Sequence, residues 1–324
     1  MKYLELARLA GVSVSTVSKV LSGSSEISRE TAERVMRVAA EHGVLLTKGR
    51  SVKIDPDELR VAVLVPELTS IYYSSLVSQL CQALEQAGVT PYIRVCGFSA
   101  ERSAGVLETL CRERIMDGVV SLCDIPAPTV SLPTVVFNAT AGDGIDCIRG
   151  DTLSGINEAV RHLKALGHTA ITFIGETHTA LKQECFVRAM ELNDLPLEEQ
   201  SVRVIDKRFE EIGYTAAEIM LAEGKLPTAV IAAYDEVALG AIHTFTAGGV
   251  RVPENLSVIG INDIPFSHYS SVPLTTVQTY TPETVDAVVA LLLGRIKGEN
   301  NGPIQHIAIK DRLVVRETTA PARP

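Results

Sequence analysis

The first 45 residues carry apolar side chains at helical spacing, in short segments separated by small and polar residues. The first segment predicts a helix over about Leu4–Ala10. In the second, Val17, Val20 and Leu21 repeat at i, i+3 and i+4, the spacing of one helix face. Ser13 stands where the N-cap of that second helix belongs. The pattern therefore predicts two short amphipathic helices joined by a tight turn.

A third helical segment follows. Ser28 is its predicted N-cap, and the hydrophobic residue Ile27 precedes it in the position of a hydrophobic staple. Three short helices in this arrangement are typical of a helix-turn-helix unit, whose second helix enters the major groove of DNA. The apolar residues of the third segment repeat at i, i+3, i+4 and i+7 and are Ala32, Val35, Met36 and Ala39.

From Leu59 onward the pattern changes to continuous apolar runs that alternate with helical stretches. The runs include "RVAVLVP", "DGVVSL", "AITFIG" and "SVIGIN". Continuous apolar strands followed by helices indicate parallel sheets covered on both faces. The runs fall into two blocks, which predicts an α/β body of two doubly wound subdomains with a cleft between them. Ligands of such sheets bind at the carboxyl ends of the strands.

If Val17 faces inward, the opposite face of the second helix presents short polar side chains and one basic residue. Serine hydroxyls bind phosphate or base edges, a valine contacts the thymine methyl group, and lysine reaches guanine or phosphate. Spacing alone leaves open a small helical bundle that caps an enzyme. The candidate DNA contacts are Val14, Ser15, Thr16, Ser18, Lys19 and Ser22, with Lys48 and Arg50 in the segment that follows the three helices.

Charge is divided unevenly along the chain. The formal net charge is −9, yet residues 1–53 carry nine Lys or Arg against five Glu. The rest of the chain carries 21 basic and 34 acidic residues. A polyanion would therefore meet the N-terminal segment, unless the basic residues there are clustered by chance on a solvated surface.

Composition excludes several classes of protein. The six cysteines are scattered without a CxxC pair, which argues against a metal cluster or a disulfide framework. No apolar run reaches the 18 residues of a membrane span. Glu5 and Arg8 interrupt the stretch that a signal peptide would keep apolar. We expect a cytoplasmic, nucleoid-associated protein without cofactor or metal.

Long stretches of the chain resemble one family. "LARLAGVSVSTVSKVLSG" and "ISRETAERVMRVAAEHG" are similar to the DNA-binding head of the lactose-repressor/galactose-repressor (LacI/GalR) family of bacterial transcription regulators. The body continues the resemblance with "LVPELTSIYYSSLV", "GDTLSGINEAVRHLKALGHTAITFIG", "AAYDEVALGAI", "RVPENLSVIGINDIPFSHYSSVPLTTVQ" and "RLVVRETT". Together these stretches cover nearly the whole chain in order.

The resemblance implies a periplasmic-binding-protein-like core, in which the chain crosses between the subdomains three times. We place the crossings near Gly150–Thr152, Thr279–Thr281 and Asn301–Gln305. The predicted boundaries are 1–46 for the helix-turn-helix domain, 47–59 for the linker, 60–150 and 281–301 for the first core subdomain, and 151–280 and 302–319 for the second.

Two parts of the head depart from the family pattern. Lys19 replaces the Arg that the family usually carries in its recognition helix, so the bidentate reading of guanine is lost. The family linker forms a hinge helix that wedges Leu into the minor groove. Here Gly49, Arg50 and Lys53 occupy that segment, and no apolar wedge stands at the expected place. We expect no family-type hinge helix.

The resemblance also implies an effector site, and its aromatic, amide and carboxylate side chains suit a sugar. Lys182 stands in place of the family's ligand-binding Arg, and Tyr234 in place of its Asn. Asp263 has the alternative role of a turn cap, and Tyr72 and Tyr73 the alternative of core or interface residues. The candidate effector contacts are Ser70, Tyr72, Tyr73, Asn138, Lys182, Tyr234, Asp235, Asn262, Asp263 and Thr279.

These observations predict a DNA-binding transcriptional repressor that binds a palindromic operator as a dimer and responds to a small molecule. The chain has no G-x-G-x-x-G after its first strand, no G-x-S-x-G and no H-E-x-x-H, so an enzyme is not indicated. The alternative is a cytoplasmic sugar-binding protein with a degenerate head. His162 and His168 belong to the family pattern, and we interpret both as structural. The ending "RETTAPARP" favours a dimer over a tetramer.

Overall fold

The computed structural model consists of two compact units, Met1–Glu58 and Leu59–Pro324, which are described separately. Both sheets formed by the described residues lie in the second unit. The residues that the structure describes are 3–21, 26–41, 58–113, 115–126 and 132–323.

The described residues of the N-terminal unit form three helices around a small apolar core. The second helix is capped as predicted, since the backbone N–H of Thr16 donates to Ser13 Oγ at 3.0 Å. Ser28 caps the third helix by accepting from the Thr31 N–H at 3.3 Å. The helices are α1 (Tyr3–Ala10), α2 (Val14–Leu21) and α3 (Arg29–Glu41), and the buried core is Leu6, Ala7, Ala10, Val17 and Val35.

The larger unit is built on two six-stranded sheets. The first sheet has the order β11-β5-β4-β3-β1-β2 and is parallel throughout. Its strands are β1 (Leu59–Val65), β2 (Val89–Val95), β3 (Gly118–Ser121), β4 (Thr134–Phe137), β5 (Asp146–Asp151) and β11 (His306–Lys310).

The second sheet has the order β12-β10-β9-β8-β6-β7, and only its edge strand β12 runs antiparallel. Its strands are β6 (Ile171–Gly175), β7 (Val202–Val204), β8 (Ala229–Ala232), β9 (Ser257–Ile261), β10 (Thr275–Gln278) and β12 (Arg312–Val314).

Helices cover both sheets, which explains the continuous apolar runs of the sequence. The central strands β3, β4, β6, β8 and β9 are buried along their whole length, as parallel strands packed on both faces must be. The helices are α4 (Ile71–Gln86), α5 (Ala100–Glu113), α6 (Thr152–Ala165), α7 (Ala180–Leu192), α8 (Glu210–Glu223), α9 (Asp235–Ala247), α10 (Pro265–Tyr269) and α11 (Pro282–Ile296).

The chain passes from one sheet to the other three times. It leaves the first sheet at the end of β5 and returns between β10 and α11, which packs on α4 and on strands of the first sheet. The prediction that the last crossing lies at 301–305, with 302–319 in the second subdomain, is wrong. Residues 306–310 pair with β5 in the first sheet, and the chain changes sheet at Asp311. The strand β11 is an exposed edge strand, so its sequence lacks the apolar run that identifies a central strand.

Candidate functional site

The second helix of the N-terminal unit presents a polar face opposite its buried residue. Val17 is fully buried, whereas Ser15, Ser18 and Lys19 are exposed. Val14, at the start of the helix, is 39% exposed. This is the side-chain distribution of a helix that packs on one face and offers the other to a partner.

Two of the predicted DNA contacts have partners within the unit. The Lys19 Nζ atom lies 2.6 Å from Glu26 Oε2, and both side chains are largely exposed. The Thr16 hydroxyl lies 2.8 Å from Ser13 Oγ and thus belongs to the helix cap. An exposed ion pair of this kind contributes little to stability, so it gives way readily to a phosphate. The candidate contacts Ser22, Lys48 and Arg50, together with residues 47–57 of the predicted linker 47–59, lie outside the described residues.

A cleft of about 560 Å³ lies between the carboxyl ends of the two sheets. Its position follows the rule for doubly wound sheets, because its walls are the residues that directly follow the strands. Eight of the ten predicted effector contacts line it, namely Ser70, Tyr72, Tyr73, Asn138, Lys182, Tyr234, Asn262 and Thr279.

Two tyrosines and an asparagine form the wall that the first sheet contributes. The ring centroids of Tyr72 and Tyr73 are 5.1 Å apart in an edge-to-face arrangement. Asn138 follows β4, donates to the Tyr72 hydroxyl oxygen at 2.9 Å and accepts from the Gly150 N–H at 2.9 Å. Burial raises the pKa of both tyrosines, so their hydroxyls stay protonated. The wall offers aromatic faces and neutral hydrogen-bonding groups.

Helix α7, which packs against β6 of the second sheet, contributes a half-buried lysine to the cleft. The Lys182 ammonium donates to the Ala233 carbonyl oxygen at 2.8 Å and to Asn262 Oδ1 at 3.4 Å. Burial lowers its pKa to about 8, and the carboxylates of Asp235 and Asp311 oppose that shift. Tyr234 lies beside Lys182, and its hydroxyl oxygen accepts from the Phe209 N–H at 3.2 Å.

Asp235 does not line the cleft, which corrects its prediction as an effector contact. The side chain is fully buried, and it accepts three hydrogen bonds from elements that pack around it. The donors are the Ile264 N–H at 2.8 Å, Ser267 Oγ at 2.8 Å and Thr276 Oγ1 at 2.5 Å. Asp235 therefore joins α9 to α10 and β10 instead of reaching a ligand.

Asp263 is a structural residue as well, and its prediction as an effector contact is likewise corrected. Its carboxylate accepts from Arg316 Nη2 at 2.6 Å and from Gln278 Nε2 at 3.2 Å. The backbone of Asp263 has φ +54°, which fits the turn role that the sequence left open. Sequence position at a strand end could not distinguish these anchoring carboxylates from ligand contacts.

A cluster across the mouth of the cleft has no counterpart in the predictions. Arg208 forms ion pairs with Glu67, which follows β1 of the first sheet, and with Glu176 of the second, the latter at 3.1 Å. Phe98, in the loop after β2, stacks on His178, in the turn after β6, with centroids 4.6 Å apart. Glu67 and Glu176 follow β1 and β6 closely, so the strand-end rule could have identified them. Phe98 and Arg208 lie in loops without a recognisable pattern.

The two histidines of the family pattern hold the C-terminal segment. His162 Nε2 lies 3.0 Å from Thr319 Oγ1, and His168 Nε2 lies 2.9 Å from the Ala320 carbonyl oxygen. Burial lowers the pKa of both rings. These contacts fit the structural interpretation of both residues.

Among the described residues, no group of three His, Cys, Asp or Glu side chains could hold a metal ion. No described helix is long and apolar enough to cross a membrane.

The fold and the two sites define a class of protein, namely a regulator with a DNA-reading head and a ligand-binding core. Residues 4–44 match the family described as bacterial regulatory proteins of the lacI family, and residues 160–319 match the periplasmic binding protein-like domain. The chain belongs to the lacI family of bacterial regulatory proteins. It is a DNA-binding transcriptional regulator, not an enzyme.

Three known proteins illustrate the relationship. The HTH-type transcriptional repressor PurR of Haemophilus influenzae (strain ATCC 51907) is 28% identical over 330 residues, which cover 97% of each chain. The lac repressor dimer bound to operator and the anti-inducer ONPF has the same fold, with a TM-score of 0.70, 24% identity and 99% of each chain covered. The transcriptional regulator CelR in complex with cellobiose has a TM-score of 0.66 at 25% identity, over 98% of this chain and 99% of that one.

Proposed function

We propose that the chain represses transcription by binding an operator as a homodimer, and that a sugar bound in the cleft changes its affinity for that DNA. The observation that carries the proposal is the combination, in one chain, of the exposed face of α2 with the aromatic and polar cleft of the core. A sugar-binding protein without a regulatory role would not need the first of these features.

The exposed face of α2 has the chemistry of a short DNA reader. Hydroxyls of Ser15 and Ser18 bind phosphates or base edges, and Val14 contacts a thymine methyl group. Lys19 exchanges the Glu26 carboxylate for a phosphate or a guanine, since an exposed ion pair contributes little to stability and a phosphate contact releases counterions from the DNA.

A dimer supplies a second copy of the DNA-binding helix α2. Two recognition helices that meet successive major grooves require half-sites about one helical turn apart, so the operator is an inverted repeat. The lac repressor, which shares this fold, binds its operator as a dimer. The protein acts in the cytoplasm, in association with the nucleoid.

The cleft fits a sugar in size and composition. Tyr72 and Tyr73 offer faces for the C–H surface of a pyranose, and Asn138, Lys182 and Asn262 offer donors and acceptors for hydroxyls. CelR, which has the same fold, is known in complex with cellobiose. A ligand held by both sheets favours the closed cleft, and this differential affinity shifts the population of conformations that the head senses.

Fluorescence anisotropy with labelled DNA from the upstream region of the protein's own operon tests the proposal. We expect sequence-specific binding that Lys19→Ala weakens about tenfold or more, because the substitution removes a base or phosphate contact worth roughly 1–3 kcal/mol. Lys297→Ala is the matched control, since it removes the same charge from an exposed position at the end of α11. Equal binding of unrelated DNA, or operator affinity unchanged in Lys19→Ala, would contradict the proposed reading of DNA.

A further inference from the structure

A buried carboxylate lies at the third crossing between the sheets. Asp311 is the single residue between β11 and β12, and it is 3% exposed. It lines the cleft, and its Oδ2 atom has no hydrogen-bond partner among the described residues. A buried acceptor without a donor is unfavourable by about 1–3 kcal/mol, and more when it is charged. The position therefore lacks a donor that a ligand in the cleft can supply.

Two glycines leave the space that the Asp311 side chain occupies. A Cβ atom at Gly150 would clash with Asp311 Oδ1, and one at Gly155 would lie 2.6 Å from Asp311 Cβ. Both glycines belong to the first crossing, at the end of β5 and the start of α6. The carboxylate is thus packed tightly between the first and third crossings, so a ligand that binds it contacts the segments that join the two sheets.

The basic side chains of the cleft leave little opportunity for an anionic ligand. Arg208 is paired with two glutamates, and the Lys182 ammonium donates to a carbonyl oxygen and to Asn262. Arg149, the third base of the lining, is exposed. The acids of the lining outnumber these three bases, and they are Glu67, Asp124, Asp151, Glu176 and Asp311.

We propose that the effector is an uncharged sugar, one hydroxyl of which donates a hydrogen bond to Asp311 Oδ2, and that this carboxylate excludes the acidic derivatives of the same sugar. The inference rests on the proposed function of the cleft as a sugar site. A carboxylate or phosphate on the ligand would face Asp311 without a free buried cation to balance it. A cationic sugar would bring a second positive charge to a carboxylate on which the Lys182 ammonium already acts.

Four titratable groups act on or near the Asp311 carboxyl: Lys182, Asp151, Tyr72 and Cys185. Burial raises the pKa of Asp311 to about 7; Lys182 opposes that rise and Asp151 adds to it. A hydroxyl that donates to the carboxylate binds the ionised form better. Affinity for the sugar therefore increases as pH rises from 6 to 7.5, by roughly tenfold, and Lys182 stays mostly protonated over that range.

Isothermal titration calorimetry on the full chain tests the inference with defined probes. The neutral sugars are D-glucose, D-galactose, D-ribose and cellobiose. Their charged counterparts are D-glucuronate, D-galacturonate, D-gluconate, ribose 5-phosphate and D-glucosamine. We expect a neutral sugar to bind at least tenfold more tightly than its charged counterparts, with the pH dependence given above.

Asp311→Asn keeps the shape of the side chain and removes its charge. We expect this variant to bind the neutral sugar about tenfold more weakly and to lose the pH dependence, whereas Asp286→Asn, at an exposed position of α11, behaves as wild type. If Asp311→Asn does not fold by circular dichroism, the pH dependence and the neutral-to-acidic ratio of the wild-type chain decide.

Three results would overturn the inference: tighter binding of a charged counterpart, unchanged binding by folded Asp311→Asn, or no binding of any neutral sugar. Operator binding measured without sugar keeps this failure separate from a failure of the proposed function. A chain that binds its operator and responds to a charged sugar, but fails these tests, refutes the inference alone.

Discussion

At the scale of single residues, the two buried aspartates Asp235 and Asp311 show what determines the role of a carboxylate. Asp235 follows a strand closely and matches the family pattern, yet three donors of its own fold occupy its oxygens. Asp311 lies in an irregular crossing and lines the cleft, and its Oδ2 atom has no donor among the described residues. Neither role could be read from sequence position, because the number of donors within reach depends on tertiary packing.

Asp235→Ala is expected to destabilise the core by roughly 2–5 kcal/mol, because it leaves three buried N–H or O–H donors without their acceptor and a cavity behind. The measurement is the free energy of unfolding in urea. Asp286→Ala, which removes an exposed carboxylate from the same unit, is the control. Wild-type stability of Asp235→Ala combined with loss of sugar binding would show that Asp235 contacts the ligand and does not anchor the fold.

At the scale of elements, the cleft is joined across its mouth by loops from both sheets. Arg208 pairs with Glu67 on one side and with Glu176 on the other, and its guanidinium carbon lies 5.1 Å from the centre of the Phe98 ring. The Phe98–His178 stack adds an aromatic contact between the same two sides. Because these contacts join the two sides, we expect them to favour a closed cleft and to lower the ligand affinity that closure requires.

Arg208→Gln is expected to open the cleft, because the bridge from Glu67 to Glu176 is lost and the buried Glu176 carboxylate loses its cation. Small-angle X-ray scattering should show a larger radius of gyration, and sugar affinity should fall several-fold. Arg203→Gln is the matched control, since Arg203 pairs with Glu223 within the second-sheet part of the core. An unchanged radius and unchanged sugar affinity would show that the bridge does not hold the cleft closed.

Most elements could be predicted because their sequences carry a recognisable pattern of apolar residues. The buried strands have continuous apolar runs, and α2 has the capping serine and the i, i+3, i+4 spacing that its structure shows. The edge strand β11 was missed because it pairs on one side only and is largely exposed. Its pairing places the third crossing at Asp311. The site contacts in loops, such as Arg208 and Phe98, were missed for a different reason, because no spacing rule applies to loop residues.

At the scale of the whole molecule, the net charge of −9 conceals a basic N-terminal segment and an acidic remainder of the chain. The basic N-terminal segment carries the charge that DNA attracts, and the acidic residues belong to the remainder of the chain. Long-range repulsion between the core and DNA is screened over about 8–10 Å at physiological salt, so the head's own contacts decide binding. With Lys19 as the basic residue of α2, we expect dimerisation to contribute a large share of operator affinity.

The operator dissociation constant, measured by anisotropy with and without a saturating sugar, tests the central claim that this is a ligand-responsive DNA-binding regulator. We predict sequence-specific binding to an inverted repeat upstream of the protein's own operon, and a change of about tenfold or more when a neutral sugar occupies the cleft. Absence of sequence-specific binding, or an operator affinity that a bound sugar leaves unchanged, would contradict the account.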